Sequence, residues 1–179
     1  MMKFAKIALV AAMGLSGIAA THAAEDQGHG TITFTGSIID APCSITNKSA
    51  EQTIDLGQVS DSALANQGES TPVPFTIDLE NCSVATDAAN TVQVTFNGAQ
   101  DAVDGVKMLG LSGNAAGAGI VIADGSGPLD LGTASSATTL SAGPNQLGFT
   151  AYLKGESGIR TKVVPGSFQS VANFSMSYQ

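Results

Sequence analysis

The stretch that decides the fold is Ile-Thr-Phe-Thr-Gly-Ser-Ile at residues 32–38, where apolar residues or glycine alternate with polar ones. A second stretch with the same period, residues 172–178, lies at the C-terminus. Successive side chains of a β-strand point to opposite faces, so each stretch is predicted to be a strand with one apolar stripe. The stripes are Ile32, Phe34, Gly36 and Ile38 in the first stretch and Ala172, Phe174, Met176 and Tyr178 in the second.

The position of the first stretch suggests its use. It precedes Cys43, so it lies outside the loop that the two cysteines bound. A β-domain with an unpaired apolar strand at its N-terminus can donate that strand to a neighbouring copy, and repeated donation builds a fibre.

The N-terminus has the features of a secretory signal. Lys3 and Lys6 precede an apolar run of 14 residues, 7–20, and small residues follow it. This arrangement predicts cleavage before Ala24. Spanning a bilayer core takes roughly 20 apolar residues, so a membrane anchor is the less favoured interpretation.

The charge of the chain excludes several classes of partner. Seven basic and fifteen acidic residues give a formal net charge of −8 at pH 7. Removal of the two signal lysines leaves five basic residues and a charge of −10. We therefore expect no nucleic-acid partner and no electrostatic docking on anionic lipid, and we interpret the charge as a contribution to solubility.

Cys43 and Cys82 are the only cysteines of the chain. An even count in an exported protein predicts one disulfide between them. Two reactive thiols are the less favoured alternative, because there is no CxxC motif and no basic residue beside either cysteine. A zinc pair would lack partners, since His29 is the one histidine of the predicted mature chain, and we expect no metal.

Strand signals run through the rest of the chain. Turn residues such as Asp124-Gly125 separate them, and residues 110–145 are predicted to form hairpins with small-residue loops rather than a linker. One helical turn is expected at 61–66. Short strands at such spacing favour a single β-sandwich domain. The predicted strands cover residues 54–59, 73–79, 92–96, 106–111, 118–122, 147–153 and 168–178.

The sequence offers little for catalysis. A Ser–His–Asp arrangement would have to use His29, which sits in a glycine-rich leader, and neither a GxSxG elbow nor a phosphate-binding glycine motif is present. We therefore expect no enzyme activity, no cofactor and no small-molecule substrate. A secreted carbohydrate-binding β-sandwich stays an alternative, although sugar sites favour exposed aromatics and the chain has no Trp and only two Tyr.

Three further pieces carry a family resemblance: GTITFTGSIIDAPCSI at 30–45, LENC at 79–82 and VANFSMSYQ at 171–179. Tyr178 is penultimate and Gly166 is fourteenth from the C-terminus. In these features the chain resembles the chaperone–usher pilins, and especially the major shaft subunits of P-type and related fimbriae of Gram-negative bacteria.

The resemblance implies an all-β fold, an incomplete immunoglobulin-like sandwich of six strands whose seventh strand is supplied in trans. Residues 1–23 would be the signal peptide, 24–42 an N-terminal extension carrying the donor strand, and 43–179 the pilin domain. The implied function is that of a structural subunit of an extracellular fimbria, exported through the periplasm to the cell surface and contributing indirectly to adhesion. A minor adaptor or tip pilin is the alternative within the family.

The implied partners are neighbouring copies of the chain, a periplasmic chaperone that assists folding, and an outer-membrane usher where subunits join head to tail by donor-strand exchange. The donor residues would be Ile32, Phe34, Gly36 and Ile38. Burying the three large ones would contribute roughly 5–9 kcal/mol, and Gly36 would meet a shallow pocket unless it marks an ordinary bulge. The groove and chaperone-facing strand would comprise Gly166, Phe168, Ala172, Phe174, Met176 and Tyr178.

Overall fold

The structure is a computed structural model that describes residues 28–84, 90–103, 106–156 and 162–179, with only the backbone described at 101–103 and 106. The predicted signal peptide lies outside the described residues. The chain divides into two units after Ile38. In the first unit, residues 28–38 form neither helix nor strand; the second unit contains all the regular structure given below.

The described part of the second unit contains twelve β-strands and three short helical segments. The helical segments are α1 (Asn47–Ala50), α2 (Asp61–Leu64) and a 3-10 turn (Ala65–Gln67). The strands are β1 (Ser44–Ile45), β2 (Val73–Cys82), β3 (Thr91–Gly98), β4 (Gln100–Val103), β5 (Val106–Leu109), β6 (Ser112–Gly113), β7 (Ala118–Asp124), β8 (Gly127–Leu129), β9 (Thr138–Thr139), β10 (Gly143–Gly155), β11 (Phe168–Gln169) and β12 (Ala172–Tyr178).

The strands form two main sheets and one small ribbon, and every pairing is antiparallel. The larger sheet has the order β1-β2-β10-β7-β5-β4, with β8 paired to β7. The smaller sheet has the order β12-β3-β9, and β11 pairs with β6 in the ribbon. The neighbours of β12 and β10 are distant in sequence, so the topology depends on long-range pairing.

One apolar core lies between the two main sheets. Ile77 and Leu79 from β2 and Val92 and Val94 from β3 are at most 1% exposed. Aromatic rings also link the sheets: the Phe96 ring of β3 lies 5.0 Å from the Phe149 ring of β10, edge to face. Two antiparallel sheets over a shared core form a sandwich, and the predicted all-β class is confirmed.

The disulfide and the C-terminus lie at the same end of this sandwich. The Cys43–Cys82 bond ties the start of β1 to the last residue of β2. Gln179 exchanges backbone hydrogen bonds of 2.8 and 3.0 Å with Thr91, the first residue of β3. Residues 140–143 touch both places, since Leu140 N donates to the Asn90 carbonyl and Gly143 pairs with Cys82. The end of the sandwich that holds the disulfide and the C-terminus is called the terminal end. The opposite end, near residues 98 and 172, is called the far end.

Most sequence-based strand predictions are confirmed, but residues 54–59 do not form a strand. The Asp55 carboxylate accepts the Gly57 N–H at 2.8 Å, and Gly57 has a φ of +71°. This local turn competes with an extended backbone. The apolar side chains of the segment are nevertheless half-buried, which explains why its alternation resembles that of a strand.

The C-terminal prediction is also corrected in detail. Residues 168–178 were predicted as one strand, and the structure divides them into β11 and β12. Between the two, the Ser170 hydroxyl donates to the Gly110 carbonyl at 2.8 Å. The chain therefore changes partner there, from β6 to β3. The predicted helical turn at 61–66 is present as α2 and the 3-10 turn.

Candidate functional site

Strand β12 is paired on one side only in the described part of the chain. Its register with β3 runs from Ala172 opposite Gly98 to Tyr178 opposite Val92. No backbone hydrogen bond joins its other side to β1 or to the residues that follow β1 in that part of the chain. β12 is thus an open edge of the smaller sheet.

The register fixes which backbone groups are left unpaired. The two bonds between Thr91 and Gln179 make these residues a hydrogen-bonded pair. Because such pairs alternate along an antiparallel ladder, residues 173, 175 and 177 also bond to β3. The hydrogen bonds on the opposite edge of β3 support this assignment. The Val94 and Phe96 carbonyls point away from β12 and accept the N–H groups of Ser135 and Gly132. The residues that direct N–H and C=O toward the open side are Ala172, Phe174, Met176 and Tyr178.

The same strand leaves apolar side chains only partly covered. Phe174, Met176 and Tyr178 are half-buried against the main core, whereas Asn173 and Ser175 on the other face are exposed. The Phe174 ring lies 6.3 Å from the Phe96 ring. Burial raises the pKa of the Tyr178 phenol, in agreement with its partly covered position against the core. Unpaired backbone and half-covered apolar surface therefore coincide on alternate residues.

The two long sides of the sandwich differ. On the β9 side, residues 131–135 bridge the sheets: Leu131 N donates to the Lys107 carbonyl of β5, and Gly132 N donates to the Phe96 carbonyl of β3. The β12 side has the edge strand β1 of the larger sheet, whose Ile45 is half-buried against the core. The sandwich is closed on one side and open along the other.

A second set of half-buried residues continues this apolar surface. Leu64, Ala118 and Leu153 form a small buried cluster beside the main core. The residues that pack on it but remain partly exposed are Leu56, Val59, Leu111, Val163 and Phe168. Of these residues, only Phe168 was predicted from the sequence to belong to the site. Leu56 and Val59 were missed because the alternation at residues 54–59 was interpreted as an ordinary strand.

Gly166 allows a close backbone approach beside β11. A Cβ at this position would lie 2.6 Å from the Ala115 nitrogen and 2.6 Å from the Asn114 carbonyl carbon. These atoms belong to the segment after β6, the partner of β11. Gly166 thus lets the chain pass tightly over that segment before it enters the open-edge strand.

We expect Gly166→Ala to lower the free energy of unfolding by about 1–3 kcal/mol, because the methyl group would overlap backbone atoms that have little room to move. Gly148→Ala is the matched control: Gly148 is an exposed strand residue, and a Cβ there meets nothing within 4 Å. Denaturant unfolding of both variants measures the difference. Equal stability of the two variants would contradict the role given to Gly166.

The predicted donor residues lie in the first unit, where they contact little. Ile32, Phe34 and Ile38 are 78%, 88% and 103% exposed. A Cβ on Gly36 would meet nothing within 4 Å. Three large apolar side chains are therefore left in water within seven residues, which is the pattern of a binding segment rather than of a folded core.

The described residues show no alternative site for chemistry. A polar surface cavity lies near Asp124, but this carboxylate already holds a turn, accepting the N–H groups of Ser126 and Ser136 at 2.8 and 2.9 Å. Within the ranges that the structure describes, no cluster of three or more His, Cys, Asp or Glu side chains suits a metal ion. No helix in those ranges is long and apolar enough to cross a membrane.

An all-β sandwich whose edge strand β12 combines unpaired backbone with half-buried apolar side chains is suited to accept a strand from another chain. The chain belongs to the fimbrial protein family, whose family model matches residues 32–179. This match confirms the predicted resemblance. The chain is a structural subunit of a fimbria and not an enzyme, and the carbohydrate-binding alternative finds no support.

Comparison with individual proteins agrees with the family. The Fimbria A protein of Serratia marcescens is 50% identical over 99% of this chain and 100% of its own length. A solved chaperone–usher pilus, reported for the basis of its rod uncoiling, has a TM-score of 0.74 and 38% identity, covering 86% of this chain and 97% of that chain. A crystal structure of the P pilus rod subunit PapA has a TM-score of 0.68 and 36% identity, covering 78% of this chain and 100% of that chain.

Proposed function

We propose that this chain is a fimbrial shaft subunit in which residues 31–39 of the next copy serve as the donor strand, adding to the open side of β12 in the copy already in place. Head-to-tail donation of this kind is donor-strand exchange. The observation that carries the proposal is the coincidence on Phe174, Met176 and Tyr178 of unpaired backbone groups and half-buried side chains. A chaperone strand would cover the same edge before assembly at the usher.

The donor segment matches the needs of that edge. An added strand gains main-chain hydrogen bonds from the open side of β12, and its alternate side chains pack on the exposed part of the core. Ile32, Phe34 and Ile38 lie on one face of an extended segment, and burying each contributes about 1.5–3 kcal/mol. Thr33 and Thr35 would then face solvent, as Ser175 does on β12.

The positions of the termini favour an antiparallel donor. β12 runs from the far end to the terminal end, and the extension leaves the domain at the terminal end, where the Pro42 carbonyl accepts the Ser83 N–H at 2.8 Å. Residues 39–42 reach at most about 14 Å. An antiparallel donor therefore places its own domain at the far end of the acceptor. A parallel donor would crowd the place where the acceptor's own extension leaves.

Head-to-tail addition follows from this geometry. The donor segment and the acceptor edge are different surfaces of the same chain, so the contact is heterologous. Each added copy leaves its own β12 edge open for the donor strand of the copy that follows. Such a contact produces an open filament rather than a closed ring, which is the architecture of a fimbrial shaft.

We expect Phe34→Asp to abolish assembly, because the variant would place an unpaired carboxylate in an apolar groove. Thr35→Asp is the matched control, since the same charge on the opposite face of the donor would stay in solvent. Size ladders of unboiled cell-surface material on gels measure polymer length. Loss of the ladder for Phe34→Asp with a normal ladder for Thr35→Asp supports the proposal.

Ladders of similar length for both variants would contradict strand donation by this segment. A loss of both ladders would show that any charge in residues 31–39 interferes, and would refute the proposed face assignment. The amount of folded monomer in the periplasm, measured in parallel, separates a defect in assembly from a defect in folding.

A further inference from the structure

We propose that Met176 is a site of oxidative modification, and that its oxidation to the sulfoxide disables the open edge as an acceptor. This inference rests on the proposed function. The chain has five methionines, of which only Met108 and Met176 lie beyond the predicted signal peptide. Met108 is 2% exposed, whereas Met176 is half-buried on the open edge.

The position of Met176 leaves its thioether partly exposed in the free subunit, whereas a chaperone strand or a donor strand on β12 would cover it. Met176 lies near the middle of the open stretch of β12, between Phe174 and Tyr178. Its sulfur accepts a weak hydrogen bond from the Tyr178 hydroxyl at 3.8 Å, which engages one of the two sulfur lone pairs. A donor strand beside β12 would bring a side chain within about 4.5–5.5 Å on the same face.

The chemistry needs a hydroperoxide, such as hydrogen peroxide, as the oxidant. A sulfur lone pair attacks one peroxide oxygen, the S–O bond forms and the O–O bond breaks. Sulfur loses two electrons to the peroxide. The leaving hydroxide takes up the proton of the transferred oxygen and becomes water. The flexible apolar side chain becomes polar and must be buried beneath the donor without a matched hydrogen-bond partner. We expect affinity for the donor strand to fall about tenfold or more.

The first measurement uses the mature full-length chain, refolded at high dilution, and the same chain assembled in fibres. Both are treated with hydrogen peroxide, and the oxidation of Met176 and Met108 is followed by peptide mass spectrometry. We expect Met176 to oxidise at least several-fold faster than Met108 in the monomer and to be protected in the fibre. Equal rates for the two methionines in the monomer, or no protection of Met176 in the fibre, would overturn the inference.

The second measurement titrates a labelled peptide of residues 30–39 onto the monomer before and after peroxide. The expected result is that peroxide weakens binding by the natural chain and does not change whatever affinity Met176→Leu has before treatment, because this variant has no sulfur at position 176. Because Met176→Leu keeps Met108, any loss of peptide binding by this variant after peroxide measures oxidation at other positions. Unchanged binding by the oxidised natural chain, or an equal loss in Met176→Leu, would overturn the inference and leave the proposed function intact. Failure of the untreated chain to bind the peptide would overturn both.

Discussion

Deletion of residues 24–36 is expected to stop the chain from donating a strand while leaving its domain folded. The deletion removes Ile32 and Phe34, together with most of the main-chain groups that would pair with β12. It leaves the second unit untouched, including the disulfide and both sheets. Such a variant should still bind the chaperone and accept a donor strand, but it should be unable to join a fibre as a donor.

Deletion of residues 24–29 is the matched control for this prediction. It removes the leader but keeps the whole donor segment, so assembly should continue. Electron microscopy of surface fibres and ladders on unboiled gels measure the difference. Long fibres built from the 24–36 deletion alone, or failure of that variant to fold with its chaperone present, would contradict the assignment of residues 31–39.

The second large effect is expected on breaking the disulfide. Cys43→Ser combined with Cys82→Ser should lower the free energy of unfolding by about 3–4 kcal/mol, because the bond closes a loop with a sequence separation of 39 residues. Both cysteines are also buried, at 3% and 5% exposure, and serine hydroxyls there would lack partners. Denaturant unfolding and the yield of folded periplasmic subunit measure the effect.

Reductant supplies the control for the disulfide prediction. The natural chain should lose a similar stability when reduced, and the double variant should show no response to reductant. A change of less than about 1 kcal/mol in the double variant would contradict the structural role of the bond. We expect the double variant that remains folded to bind the peptide of residues 30–39, because the Cys43–Cys82 bond lies at the terminal end and not on the open edge.

Local patterns were sufficient to predict the core strands. The alternation at 73–79 and 92–96 places Ile77 and Val94 on the inner face, and both are buried in β2 and β3. The same alternation at 54–59 led to a wrong strand, because it reports which side chains face a core and not which backbone groups find a partner. The turn held by the Asp55 carboxylate decided the outcome there.

The candidate site shows the same limit of local reasoning. The period at 172–178 predicts that Phe174, Met176 and Tyr178 share a face, and the structure places them together. Which side of β12 is open depends on its register with β3, about eighty residues earlier in the chain. Leu56, Val59 and Val163 are partly buried because they pack against the cluster that contains Leu64. Such long-range pairings leave no local trace in the sequence.

Amide hydrogen exchange on the 24–36 deletion variant, with and without the peptide of residues 30–39, tests the central claim most directly. The account predicts that the peptide slows exchange at Phe174, Met176 and Tyr178 by at least about tenfold, because their N–H groups face the open side. Amides of Asn173, Ser175 and Ser177 already bond to β3 and should change much less. Binding that protects both sets equally, or that protects another sheet edge such as β4 and leaves β12 unchanged, would contradict the account.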